Sequence, residues 1–202
     1  MAHYLMEAIM KLLQKAWPVG LALILSIFPL SAFASTGEFL NSISLPLSHW
    51  SHFFLLLGFG MWAYMLDTKC VHHLVMYTLL GFIIGIFLGG IVPGMIFGVS
   101  ILSLLLVLMG IMIVTQIKVH HVGGIILSII VGFFAATAVS GGIALSLTGV
   151  LSLIGLLIGV LLGLSSGVGL HHLLKDFHKG KVIMLIGIFI GLVGLLKLFA
   201  LM

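Results

Sequence analysis

Long apolar runs separated by short polar breaks make up most of the chain from residue 49 onward. A helix needs about 20 predominantly apolar residues to cross the hydrocarbon core of a bilayer. Most of the breaks carry charged or turn-forming residues, whereas the fourth and fifth runs are separated only by a small-residue turn near Ser146. The pattern predicts six membrane-spanning helices, at residues 49–66, 71–91, 94–117, 122–144, 148–172 and 181–201.

The segment before these runs has the three parts of a secretory signal peptide. Two lysines precede about a dozen apolar residues, and the sequence AFA at 32–34 matches the small-residue cleavage pattern. We predict cleavage after Ala34, so that residues 1–34 are the signal peptide and residues 35–202 the six-helix transmembrane domain. Met10 is an alternative start of translation, and an uncleaved first helix is the alternative to cleavage.

The composition indicates the same environment. Of the 202 residues, 62% are hydrophobic and only 6% are charged, whereas a soluble domain carries about 25% charged residues. The expected solvent is therefore a lipid bilayer. The formal net charge of +4 comes from lysines scattered among short loops, so a nucleic-acid partner is not expected. Cys70 is the single cysteine of the chain, which excludes an internal disulfide and a CxxC motif.

The lysines predict the orientation. If the mature N-terminus is outside, the loops after the first, third and fifth helices face the cytoplasm. Positive residues concentrate in cytoplasmic loops, and the outer loops here contain no lysine. The lysines of the cytoplasmic loops are Lys69, Lys118, Lys175, Lys179 and Lys181. Lys197, near the outer end of the last helix, is expected to extend its stem to the interface. The prediction is a multi-pass protein of a bacterial inner (plasma) membrane with both mature termini outside.

Small residues recur every four positions on three of the predicted helices. Helices in a bilayer associate through close backbone approach and dispersion contacts, which small residues permit. These stripes predict a tight bundle, or contacts with further copies of the chain or with other proteins of a membrane complex. The stripes are Gly81, Gly85 and Gly89; Gly124, Ser128, Gly132, Ala136 and Ser140; and Gly155, Gly159, Gly163 and Gly167.

Several segments resemble one membrane-protein family. The sequence LPLSHWSH at 45–52 leads into GFGMWA at 58–63, and VPGMIFGVS stands at 92–100. These segments, with STG at 35–37, are similar to the HupE/UreJ family, small membrane proteins regarded as nickel permeases. The resemblance extends over residues 35–202 in helix count, order and loop length. It implies a permease-like protein that passes a divalent transition metal such as nickel as its substrate, with no resident cofactor.

Most of the family's metal-ligand positions are substituted in this chain. The first histidine of the family motif H-P-x-x-G-x-D-H falls on Leu45 and its aspartate on Ser51, while the last histidine is retained as His52. The glutamate of the motif P-G-x-E-x-G falls on Ile96, and a histidine-rich motif of the fourth helix corresponds to ATAVSG at 136–141. Nickel is bound by imidazole and carboxylate groups, so most of the implied site is lost.

His49 and His52 are the candidate metal ligands. They lie one turn apart on one helix face, a geometry that can hold one metal ion between two imidazoles. Two ligands rarely suffice, and Glu38 or the new N-terminal amine, both on the outer side, is the expected third. The alternative is an interfacial pair beside Trp50, in the belt where amphipathic rings settle.

The seven other histidines of the mature chain are predicted at the cytoplasmic ends of helices. Neighbouring residues of a helix point about 100° apart, so an HH pair does not chelate by itself. We expect these side chains to be amphipathic anchors, and convergence into an exit site for a metal is the alternative. They are His72, His73, His120, His121, His171, His172 and His178.

The helix interiors carry no charged residue away from their ends, which argues against an ion-coupled pump. The sequence GLSSG at 163–167 matches a hydrolase motif, but the motif requires a strand-to-helix turn and lies here within a predicted helix. The next helix offers no histidine base for Ser165, so an enzyme is not expected. Two functions remain: a HupE/UreJ-type passive permease for a divalent metal, and a transport-inactive structural or assembly partner of a larger membrane complex.

Overall fold

The computed structural model describes residues 38–66, 71–89, 95–137, 147–175 and 180–200, and they form seven helices without a strand in these ranges. The predicted signal peptide, residues 1–34, lies outside the described residues. The helices are α1 (Glu38–Ser48), α2 (Trp50–Leu66), α3 (Val71–Gly89), α4 (Met95–Thr115), α5 (His121–Thr137), α6 (Leu147–Leu174) and α7 (Lys181–Phe199).

Within the described residues, three stretches are long and apolar enough to cross a membrane: Val71–Leu88, Ser152–Leu174 and Lys181–Phe199. Three further apolar helical segments are shorter, at 10–17 residues. The prediction of an all-α protein with membrane-type helices is confirmed by these elements. The shorter segments are Trp50–Leu66, Ser100–Thr115 and His121–Thr137.

The structure contains a helix, α1, that was not predicted from the sequence. It directly precedes the predicted start of the first span. A single bend at His49 separates α1 from α2. Pro46, inside α1, has no backbone N–H to donate and weakens the last turn of that helix. The carbonyl of His49 accepts the backbone N–H groups of His52 at 2.9 Å and Phe53 at 3.0 Å, so the hydrogen bonding of α2 starts at the bend.

The helices associate in three close groups: α6 with α1 and α2, α3 with α5, and α4 with α7. Glycines allow the backbones to touch. A Cβ atom added at Gly132 of α5 would collide with the carbonyl oxygen of Thr78 in α3, and one added at Gly167 of α6 would collide with that of Leu57 in α2. The predicted small-residue stripes thus form contacts within one chain.

The order of the contacts gives the direction of each pair. Gly155 of α6 lies against Phe39, and Gly167 lies against Leu57, so residue numbers rise together and α6 runs parallel to α1 and α2. By the same criterion α3 and α5 are parallel, whereas α4 and α7 are antiparallel. The contacts that fix these two directions are Gly81 to Ile129, Gly85 to Phe133, Gly110 to Gly191 and Gly194 to Leu106.

Helix α2 is the centre of the bundle. It contacts each of the other six helices, and the nine consecutive residues 55–63 are all buried. A helix that is apolar on every side is surrounded by protein or lipid on every side. The peripheral helices instead expose large apolar side chains, such as Leu185 and Phe199 of α7. The fold therefore positions the residues at the start of α2 at one end of a fully buried stretch of that helix.

Candidate functional site

His52 lies in the first turn of the central helix α2 and is only 6% exposed. Among the residues that the structure describes, neither Nδ1 nor Nε2 of its ring has a hydrogen-bond partner. Buried polar side chains are nearly always hydrogen-bonded, and an unpaired one calls for an explanation. A ligand, an ion or a water molecule at this position would satisfy the ring.

His49, at the bend between α1 and α2, is exposed. Its ring centroid lies 5.7 Å from that of His52, with the two ring planes inclined by 56°. The two imidazole rings are therefore neighbours, as predicted. The His49 ring lies at the protein surface and the His52 ring lies in the protein interior.

Glu38, the proposed third ligand, begins α1. The 11 residues of that helix correspond to about 16 Å at 1.5 Å per residue, which separates the backbone of Glu38 from the bend at His49. The alternative third ligand, the amine that cleavage after Ala34 would create, lies outside the described residues. Among the side chains that the structure describes, no three of the types His, Cys, Asp and Glu are arranged to hold a metal ion.

Lys197 is the site residue that the sequence analysis did not anticipate. Its Nζ atom donates a hydrogen bond of 2.7 Å to Oγ of Ser51. Ser51 is 5% exposed and immediately precedes His52, so the ammonium is bonded to the residue next to the buried imidazole. We call His49, Ser51, His52 and Lys197 the His52 cluster. The only signal for this contact in the sequence is that both partners are predicted near the outer end.

The His52 cluster lies beside the middle of α6. Pro46, before the bend, faces Gly159, and Leu56, after it, faces Gly163. Helix α6 has 28 residues, or about 42 Å of length, and it continues past the cluster in both directions. Along the axis of α6, the cluster thus lies near the middle of the helix rather than at one of its ends.

The opposite end of the bundle carries the paired histidines. The rings of His73 and His121 lie 6.3 Å apart at 88°. The hydroxyl of Tyr64 is hydrogen-bonded to Nδ1 of His172 at 2.7 Å, and its ring lies 5.1 Å from that of His171.

The six described members of the predicted HH pairs lie at this one end, as expected, and His178 lies outside the described residues. Only His171 among them is buried, at 8% exposure, and its Nδ1 atom has no hydrogen-bond partner in the described ranges. Four of the six make ring contacts between helices: His73 with His121, and His171 and His172 with Tyr64.

The hydrogen bond between Tyr64 and His172 is expected to contribute about 0.5–1.5 kcal/mol to the stability of the bundle. Replacing Tyr64 by Phe keeps the ring and removes the hydroxyl, so the apparent Tm of the detergent-purified protein should fall by a few degrees. A double-mutant cycle with His172→Leu is the measurement. Because both single changes remove the same bond, the double variant should be less destabilised than the sum of the two, and strict additivity would contradict the pairing.

In the described ranges, fold and site together define a helical protein with apolar helices of membrane-spanning length and a polar cluster, containing the buried Ser51 and His52, at the start of its central helix. Comparison of the chain with protein-family models, with curated proteins and with solved structures finds no match.

Proposed function

We propose that this chain is a six-span, permease-like protein of HupE/UreJ type that binds a divalent transition metal such as nickel at His52 and His49. The observation that carries the proposal is the buried His52 ring, which has no hydrogen-bond partner within the described part of the chain and lies next to the His49 ring. Imidazole nitrogen is a good ligand for nickel. The resemblance of residues 45–52 to the family's first motif supports the same assignment.

The directions of the helices support six crossings. Successive spans of a multi-pass protein run in opposite directions, so the first and fifth, and likewise the second and fourth, must be parallel, and the third and sixth antiparallel. Counting α1 and α2 as one bent span, α2 and α6 are the first and fifth, α3 and α5 the second and fourth, and α4 and α7 the third and sixth. Their contacts have these relative directions. With the lysine loops inside, both mature termini would lie on the outer side of a bacterial plasma membrane.

The bend at His49 supports a binding role for the cluster. Many membrane transporters place their substrate at an interrupted helix inside the membrane, where backbone and side-chain groups become available to a ligand. Here the interruption between α1 and α2 coincides with the two neighbouring imidazoles. The site would therefore be reached from the side of α1 and closed below by the buried residues of α2.

Two observations favour the second function, a transport-inactive partner within a membrane complex. The cluster contains an ammonium group, on Lys197, beside the two imidazoles. Beyond the cluster, α2 and α6 touch backbone to backbone, since a Cβ atom at Gly60 would collide with the carbonyl oxygen of Leu164. A partner protein or a further copy of the chain would then cover exposed apolar faces such as that of Leu185.

Uptake of radioactive nickel by cells expressing the protein tests the proposal. We expect uptake above that of cells with an empty vector, and loss of this uptake in His52→Ala because the buried ligand is removed. His72→Ala is the matched control, since His72 is an exposed histidine at the opposite end and should leave uptake unchanged. Uptake equal to the empty vector, with the protein present in the membrane, would contradict the permease function and favour the second one, to be pursued by copurification of stoichiometric partners.

A further inference from the structure

Lys197 is hydrogen-bonded to the residue that precedes the proposed metal ligand His52, and its conformation needs an explanation. The residue lies in the last turn of α7, two residues before Phe199, where that helix ends. A lysine at a helix end in a membrane can extend its stem to water at low cost. Here the side chain turns toward the bundle and its ammonium reaches the buried hydroxyl of Ser51 at 2.7 Å.

The sequence offers this ammonium almost no neutralising partner. The whole chain has four acidic residues, and none lies within α2 or α7. The ammonium is held by a neutral hydroxyl, that of the residue immediately before His52. In a poorly solvated environment, a second cation placed a few ångströms away would be strongly repelled.

We infer that Lys197 is an internal cation that competes with a divalent metal for the His52 cluster and keeps the site closed to it. While Nζ is hydrogen-bonded to Ser51, an ion between His49 and His52 meets a neighbouring positive charge. Binding of the ion requires the ammonium to move toward the end of α7, where water can solvate it. Metal binding and the bond between Lys197 and Ser51 thus oppose each other, and each weakens the other to the same extent.

This role makes Lys197 a residue that sets specificity and access, and the inference rests on the proposed metal site at His52. Of the four members of the cluster, Lys197 and Ser51 do not coordinate the metal ion in this scheme. They affect metal binding through the charge of the ammonium and through the position of the flexible Lys197 side chain.

Equilibrium binding of Ni²⁺ to the full-length protein in lipid nanodiscs tests the inference. In Lys197→Met the stem keeps its apolar length and loses its charge, so nickel should bind at least about tenfold more tightly than in the unsubstituted protein. Lys197→Arg retains the charge and should bind as the unsubstituted protein does. Lys181→Met, at the other end of the same helix and exposed, should leave the affinity unchanged.

Two further variants separate charge from side effects of the substitution. Ser51→Ala removes the hydroxyl that holds the ammonium, so its affinity for nickel should lie between those of the unsubstituted protein and Lys197→Met. His52→Ala should abolish the tight binding both alone and combined with Lys197→Met.

The outcomes distinguish the inference from the function on which it rests. Equal, His52-dependent affinities in the unsubstituted protein and Lys197→Met would overturn the inference and leave the metal site standing. Binding that appears only when Lys197 is replaced, and depends on His52, would support the inference and contradict nickel transport by the natural chain. Absence of His52-dependent binding in every folded variant would overturn both.

Discussion

Gly132→Ala is expected to cost at least about 3 kcal/mol of stability and to prevent much of the protein from folding. The added methyl group would collide with the carbonyl oxygen of Thr78 and lie 2.8 Å from the backbone nitrogen of Phe82. Overpacking against side chains costs about 1–3 kcal/mol, and backbone atoms cannot turn aside as side chains do. Relief requires α3 and α5 to move apart along their whole contact. Thermal unfolding and size-exclusion chromatography in detergent measure the effect.

Gly123→Ala is the matched control, since Gly123 lies in the same helix, α5. A Cβ atom there would meet only the side chain of Val119, at 3.6 Å. Alanine favours a helix over glycine by about 1 kcal/mol, so this variant should be as stable as the unsubstituted protein or more so. Equal destabilisation of the two variants would mean that α3 and α5 do not touch at Gly132.

Trp62→Ala is the second change with a large expected effect, about 3–5 kcal/mol. The side chain is 0% exposed and its Nε1 donates to the carbonyl of Ile117 at 3.2 Å, which joins α2 to the segment after α4. Lipid tails are themselves apolar, so the loss comes from the cavity, the missing dispersion contacts and the unpaired carbonyl rather than from exclusion of water.

Trp50→Ala provides the comparison for that prediction. Trp50 is 74% exposed, and its ring centroid lies 5.9 Å from that of Phe54. Its removal should change stability by no more than about 0.5 kcal/mol. Chemical denaturation of both variants in the same detergent gives the ratio, and a larger loss for Trp50→Ala would contradict the central position of α2.

The sequence predicted the parts of the fold that depend on local pattern. Apolar runs locate α2 to α7 to within a few residues where they are described, because length and hydrophobicity decide whether a segment is stable in lipid. The glycine stripes predict close contacts. The stripes do not indicate which helices pair with each other, since α3, α5 and α6 all carry small residues at every fourth position.

Two features escaped the sequence analysis for physical reasons. Helix α1 was missed because Asn41, three serines and Pro46 lower its hydrophobicity, although its packing against α6 favours the helix. The contact of Lys197 with Ser51 joins residues 146 positions apart, and no local pattern encodes such a pair. The neighbourhood of His49 and His52 was predictable because the two residues are only three positions apart, although the prediction of a single helix face was wrong, since His49 lies at the bend before α2.

The central position of α2 has a consequence for the order of synthesis. In each close group, at least one other helix lies between the partners in the sequence. During synthesis α2 therefore precedes its partner α6, α3 precedes α5, and α4 precedes α7. A ribosome releases α2 well before residue 147, where its main partner begins. During that interval the imidazole of His52 and the hydroxyl of Ser51 lack their final surroundings. The first span to be made is thus among the last to be enclosed, and a chain interrupted after α5 would leave its central helix without the partner that it contacts most closely.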